Sequence, residues 1–167
     1  MKLAKALKLK NRLAGEITRL KGIIQTRNVV ESGHEKIYDV QYIVETGLPK
    51  VIKNLVSVKT GIALANAKEA HGSVEFYQTT PYWKIFMISE IRGLIDALRK
   101  MDTKNGKVSE YRGVGAEVIS AEYVALVKQQ DVDRIVLAYE KDIDRMQDEL
   151  DAYNATVDIE ALEGISI

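Results

Sequence analysis

The stretch Asp131-Val-Asp-Arg-Ile-Val-Leu-Ala-Tyr-Glu-Lys-Asp-Ile-Asp-Arg-Met-Gln-Asp-Glu-Leu-Asp-Ala-Tyr153 decides the fold class. Val132, Val136, Tyr139, Ile143, Met146, Leu150 and Tyr153 follow one another at steps of four and three residues without a miss. On a helix such steps return to the same side, so the side chains form one narrow apolar stripe. Fully burying one Leu, Ile or Val side chain is worth roughly 1.5–3 kcal/mol, and a lone helix gains none of it. The stripe therefore predicts a helix over 131–153 that packs on another helix of this chain or of a second one. Asp131 suits its N-cap, Asp133 its positive first turn, and Asn154 the residue after its end.

The same spacing recurs upstream. Leu3, Ala6, Lys10, Leu13, Ile17, Leu20 and Ile24 predict a helix over about 2–27, interrupted by Lys10 and weakened by Gly15 and Gly22. Residues 28–36 carry turn formers without a period and read as a loop. Ile37, Val44, Leu48, Val51, Leu55, Val58, Ile62 and Ala65 continue the pattern, but Pro49 lies inside it. Proline removes a backbone donor and clashes with the carbonyl four residues back. Of a single kinked helix and a break before Pro49, the break is the preferred reading, with a helix over 49–66. Ser73-Val-Glu-Phe-Tyr77 alternates and reads as a short strand. Thr80 as N-cap and Pro81 at the first helical position open a third helix, about 80–101, and Asn105-Gly106 is a turn signal. Residues 107–127 read as an extended arm that pairs with 73–77 in a two-stranded ribbon. The expected fold is mainly α: one domain spanning 1–167, a helical bundle with long antiparallel coiled-coil helices and a small extended arm or β ribbon.

Composition narrows the function classes. The chain has 167 residues, 46% hydrophobic and 29% charged, with two prolines and no cysteine, an ordinary globular balance. Without cysteine there is no disulfide, no thiolate metal site and no cysteine nucleophile, which agrees with a reducing, cytoplasmic setting. No signal peptide and no apolar run of membrane-spanning length is evident. The net charge is zero but unevenly spread. Lys2, Lys5, Lys8, Lys10, Arg12, Arg19, Lys21 and Arg27 face a single acid, Glu16, in the first 27 residues, whereas 131–163 is strongly acidic. The first and last helices are thus electrostatic complements and are predicted to be neighbours, within one chain or between subunits.

Catalytic and metal-binding patterns are sparse. His34 and His71 read as solvated loop residues, with a shared zinc site as the sharper alternative. The acids Asp142, Asp144, Asp148, Glu149 and Asp151 lack the offsets and central glycine of a calcium loop and read as a helix surface. Gly113-Val-Gly115 is far short of a dinucleotide fingerprint. No cofactor or metal is expected, and the chain reads as no enzyme. The basic first helix is first a bundle helix. As a nucleic-acid contact it would bind phosphate with strong salt dependence; as a membrane-surface helix it has lysines and an apolar face but no Trp or Phe anchor. Phe76, Tyr77, Tyr82, Trp83 and Phe86 gather around the start of the third helix. They read as core packing or as a ligand or peptide pocket made by Tyr77, Tyr82, Trp83 and Phe86, with Tyr111 and Arg112 as polar neighbours.

The opening Met1-Lys-Leu-Ala-Lys-Ala-Leu7, the middle Asn54-Leu-Val-Ser-Val-Lys-Thr-Gly61 and the ending Ile143-Asp-Arg-Met-Gln-Asp-Glu-Leu-Asp-Ala-Tyr-Asn-Ala-Thr156 resemble a small bacterial family of uncharacterised helical proteins, some described as septicolysin-like. That family has Asn at the place of Gly61 and usually Trp near Ala155. The resemblance implies an α-helical coiled-coil fold, and the cytolysin name implies action on membranes; it implies no active residue. The leading expectation is a scaffold or interaction protein with a homo-oligomeric or helical protein partner. The alternatives are a membrane-active protein using the first helix and a binder at the aromatic cluster.

Overall fold

The computed structural model describes residues 1–67, 72–111 and 118–157, with only the backbone of residues 110, 111, 118 and 119. Its elements are α1 (Leu3–Arg27), β1 (Val29–Glu31), α2 (Val40–Tyr42), a π-helical turn (Ile43–Gly47), α3 (Leu48–Asn66), α4 (Val74–Thr79), α5 (Pro81–Arg99), β2 (Gly106–Tyr111), β3 (Val118–Ala125) and α6 (Gln129–Asn154). The chain is mainly helical, with a small antiparallel sheet of strand order β1-β3-β2.

The long helices stand where the stripes place them. Helix α5 is the centre: α3 packs on one side of it, α6 on another, and α1 lies against α3 and α5. The core joins Ile17, Leu20 and Ile24 of α1, Leu48, Ile52 and Leu55 of α3, Leu94 and Leu98 of α5, and Val132 and Met146 of α6. Because α5 intervenes, the expected pairing of the first and last helices does not occur within the chain.

Helix α3 starts at Leu48 with Pro49 in its first turn and ends at Asn66, as expected, but the break expected before Pro49 is absent, because a π-helical turn leads straight into it. Asp39 caps the start by accepting a hydrogen bond from the Tyr42 N–H, and the helical path then runs through to Asn66. The Leu48 N–H reaches back to the Ile43 carbonyl, one residue further than in an α-helix. This widened turn directly before Pro49 absorbs the lost donor and the ring's bulk. The second correction is at 73–79. Ser73 accepts from the Phe76 N–H, Glu75 lies in the first turn, and the segment is helix α4 rather than a strand.

The arm therefore finds other partners. Strand β3 pairs with β2 from Gly106↔Tyr123 to Tyr111↔Val118 and with β1 at Val30↔Val124, so residues 28–36 hold a strand as well as a loop. Gly106 has φ 92°, the left-handed region that glycine occupies without steric cost. Buried Asn28 locks this sheet to the helices. Its amide donates to the carbonyls of Asp102 (2.7 Å) and Val127 (2.9 Å), and its side-chain oxygen accepts from the Val127 N–H (2.8 Å). Its own carbonyl accepts from the Leu126 N–H. Helix α6 begins after Lys128, with Asp131 in its first turn receiving Arg134 rather than capping it.

Candidate functional site

The aromatic residues at the start of α5 have unlike surroundings. Along α5 consecutive residues turn by about 100°, so Trp83 diverges from Tyr82, while Phe86, three and four residues on, stays near the same side. Trp83 lines an open groove of about 370 Å³ over α5, between α3 and α6. Phe86 lies under the Lys59 ammonium, 5.7 Å from its ring centre, and Lys59 also pairs with Glu90. Tyr82 is exposed. Tyr77, on α4, lies against α3 at Gly61, where an added Cβ would sit 3.1 Å from the Tyr77 ring; glycine is what admits this ring. Tyr111 ends β2, and Arg112 lies outside the described residues, as do His71, Gly113 and Gly115. Of the residues expected to form one pocket, Trp83 and Tyr77 line separate grooves and Tyr82 and Phe86 line neither of these.

The groove beside Trp83 has an apolar floor of Ile52, Met87, Ile91, Leu94 and Met146. Its acids are already engaged: Glu149 with Lys84 across the helices at 2.8 Å, and Asp142 with Arg145 at 3.0 Å. The Lys84 hydrogen bond, and then the ammonium's charge, hold the Glu149 carboxyl below the usual carboxylate range. Burial, then the Asp142 charge, pushes the Tyr139 phenol up. The Trp83 indole N–H is buried without an acceptor among the described residues; being sealed from solvent, it does not face the groove's open volume. The groove thus offers apolar contact and two ion pairs, with no unengaged carboxylate on its wall to act as a base.

Sequence patterns show i, i+4 pairs but not pairs across helices, so three polar contacts at the bundle seams are visible only in three dimensions. They are the ion pairs Lys84–Glu149, Lys59–Glu90 and Arg99–Glu140; Lys21 on α1 lies beside α5, its ammonium 3.0 Å from where a Cβ would stand at Gly93. Burial lowers the Lys21 pKa, and Glu90 and Asp96 partly restore it. His34 is exposed in the turn after β1. Among the described residues no group of three or more His, Asp and Glu is placed to hold a metal ion, and no helix is long and apolar enough to cross a membrane.

The outer faces of the bundle carry the charge. Lys2, Lys5 and Lys8 on α1 are exposed, as are Asp144, Asp148 and Asp151 on α6, and none of the six forms an ion pair among the described residues. Compared with protein-family models, with curated proteins and with solved structures, the chain matches none.

Proposed function

We propose that this chain is a non-enzymatic helical interaction protein that self-associates through its helix faces. The observation that carries the reading is the order of the bundle. With α5 between them, basic α1 and acidic α6 leave Lys2, Lys5 and Lys8 and Asp144, Asp148 and Asp151 unpaired on separate outer surfaces. Single exposed ion pairs are worth about 0–1 kcal/mol, but several together select a partner and its orientation. In this reading α5 and α6 act as a long antiparallel coiled-coil element, and the cytosol is the working compartment. Light scattering on the purified protein tests it. A molar mass above that of one chain at low salt, falling as salt rises, is the expected result; a monomer at every concentration and salt contradicts it.

One observation favours a second reading, contact with an anionic lipid surface. Leu3 and Leu7 are exposed among Lys2, Lys5 and Lys8, the mixture that holds a helix at a membrane interface. The resemblance to septicolysin-like proteins points the same way. Dye release from anionic vesicles at micromolar protein is its expected sign, and intact vesicles contradict it.

A further inference from the structure

The bundle has two unlike ends. One is closed by the sheet and Asn28. At the other lie the start of α1, the ends of α3 and α6, α4 and the start of α5. Leu3 and Val74 line one groove, and Pro81, Ile85, Leu150 and Asn154 line another, which places these segments together. Here Leu3, Val74, Phe76, Tyr82, Ile85 and Tyr153 are all exposed. Isolated apolar side chains on a surface are ordinary, and the sheet end also bares Ile37, Tyr38, Tyr42 and Val124; what distinguishes the open end is that its exposed apolar side chains accompany helix termini of opposite charge.

The charges at this end are wrong for their own helices. A helix N-terminus favours anions and its C-terminus favours cations. Helix α1 starts with no acid in its first turn and no side-chain cap, and it carries Lys2 and Lys5 there, with Lys8 in the next turn. Helix α6 ends with no base in its last turn, after Asp144, Asp148 and Asp151. Each terminus lacks the charge that the other supplies, and the two belong to the same end of the molecule without pairing.

We infer that the open end is the interface of a two-fold symmetric dimer, in which the first turns of α1 of each copy lie against the last turns of α6 of the other. This rests on the self-association proposed above and names its partner and surface. In a two-fold contact every pairing occurs twice, so one arrangement neutralises both mismatched termini and covers the apolar side chains between them. A lipid surface suits the open end less well, because anionic headgroups that attract the α1 lysines repel the three α6 aspartates.

Charge reversal on the full chain tests this. One variant carries Lys2→Glu, Lys5→Glu and Lys8→Glu; the other carries Asp144→Lys, Asp148→Lys and Asp151→Lys. Lys2→Glu, Lys5→Glu and Asp151→Lys give the helix termini the charge their dipoles favour, and all six positions are exposed, so both variants are expected to keep the fold, which circular dichroism verifies. In sedimentation velocity at low salt the wild type is expected to be a dimer. Each variant alone is expected to dissociate at least about tenfold more readily, a change of about 1.4 kcal/mol. Mixed one to one, the variants are expected to form a heterodimer, since each supplies the charge the other lacks. A dimer that either reversal leaves intact, or a mixture that stays monomeric, overturns the open-end interface while self-association stands. Growth beyond a dimer overturns the two-fold closure. A wild-type monomer overturns self-association itself, and its binding to anionic vesicles under those conditions would assign the open end to lipid instead.

Discussion

Helix α1 passes from one end of the bundle to the other, and its two halves share one apolar stripe but not one fate. In the second half, Ile17, Leu20 and Ile24 are buried, Ile24 completely. In the first half, Leu3 is 45% exposed, and Lys2, Lys5 and Lys8 form no ion pair among the described residues. At the closed end the helix meets α3, α5 and the Asn28 lock; at the open end α4 and α3 cover only part of it. A periodic stripe thus states which face can be buried, while the neighbouring elements decide how much of it is. The closed end carries the Asn28 hydrogen bonds between sheet and helices, and the open end leaves Leu3 and the lysines beside it exposed.

The sharpest way to break this contrast is at Asn28. Asn28→Ala leaves the buried Val127 carbonyl and N–H without their Asn28 partners and removes the part-buried bond to the Asp102 carbonyl. At about 1–3 kcal/mol for each orphaned group and imperfect additivity, a loss of about 4 kcal/mol is expected. Thermal unfolding should then fall by about 12 °C for a chain of this size; a fall within a few degrees would show that the sheet does not lock the bundle. Next comes a pair of truncations on one stripe. Ile24→Ala opens a cavity in the core and should cost about 3 kcal/mol in urea unfolding, whereas Leu3→Ala should cost less than about 0.5 kcal/mol. Similar losses at both sites would erase the distinction between the ends.

Two smaller effects sharpen the picture. The Thr60 hydroxyl is buried in α3 without a partner among the described residues. Thr60→Val keeps the shape, removes the orphan and should stabilise by about 1 kcal/mol in the same assay; destabilisation would mean that the hydroxyl is bonded. Smallest is the Lys84–Glu149 bridge. Because the Glu149 carboxyl lies below its ordinary range when folded, the unfolded chain binds the extra proton first as pH falls. The contribution of the bridge is present at neutral pH and disappears as pH drops through the lowered value. Lys84→Ala should flatten this part of the acid limb followed by circular dichroism, and unchanged acid limbs would show that the bridge is inactive.

Much of the helical architecture is legible in the sequence, and the reasons for the misses are physical. The stripes of α1, α5 and α6 and the Thr80-Pro81 start appear directly, because local spacing and capping determine them. Pro49 misleads because a π-helical turn, which depends on the carbonyl positions of Ile43–Gly47, absorbs it. Residues 73–77 alternate like a strand, yet the Ser73 cap outweighs the alternation over so short a segment. The partner of the arm is not legible, since the pairing of Val29 with Ala125 links residues far apart in sequence. The aromatic cluster is legible as composition only: Trp83 lines the groove between α3 and α6 and Tyr77 the groove beside the start of α1, and which groove each ring joins depends on tertiary packing that spacing does not show. The charge complement of the two terminal helices is visible in the sequence, whereas their separation by α5 is not.

The most direct test of the contrast between the ends is hydrogen exchange followed segment by segment as protein concentration is raised. The expected result is that Asn28 and Val127 exchange only through global unfolding at any concentration, while the first turns of α1 and the last turns of α6 gain protection as the protein is concentrated. Protection at those turns that ignores concentration, or that grows at the closed end instead, would contradict the account.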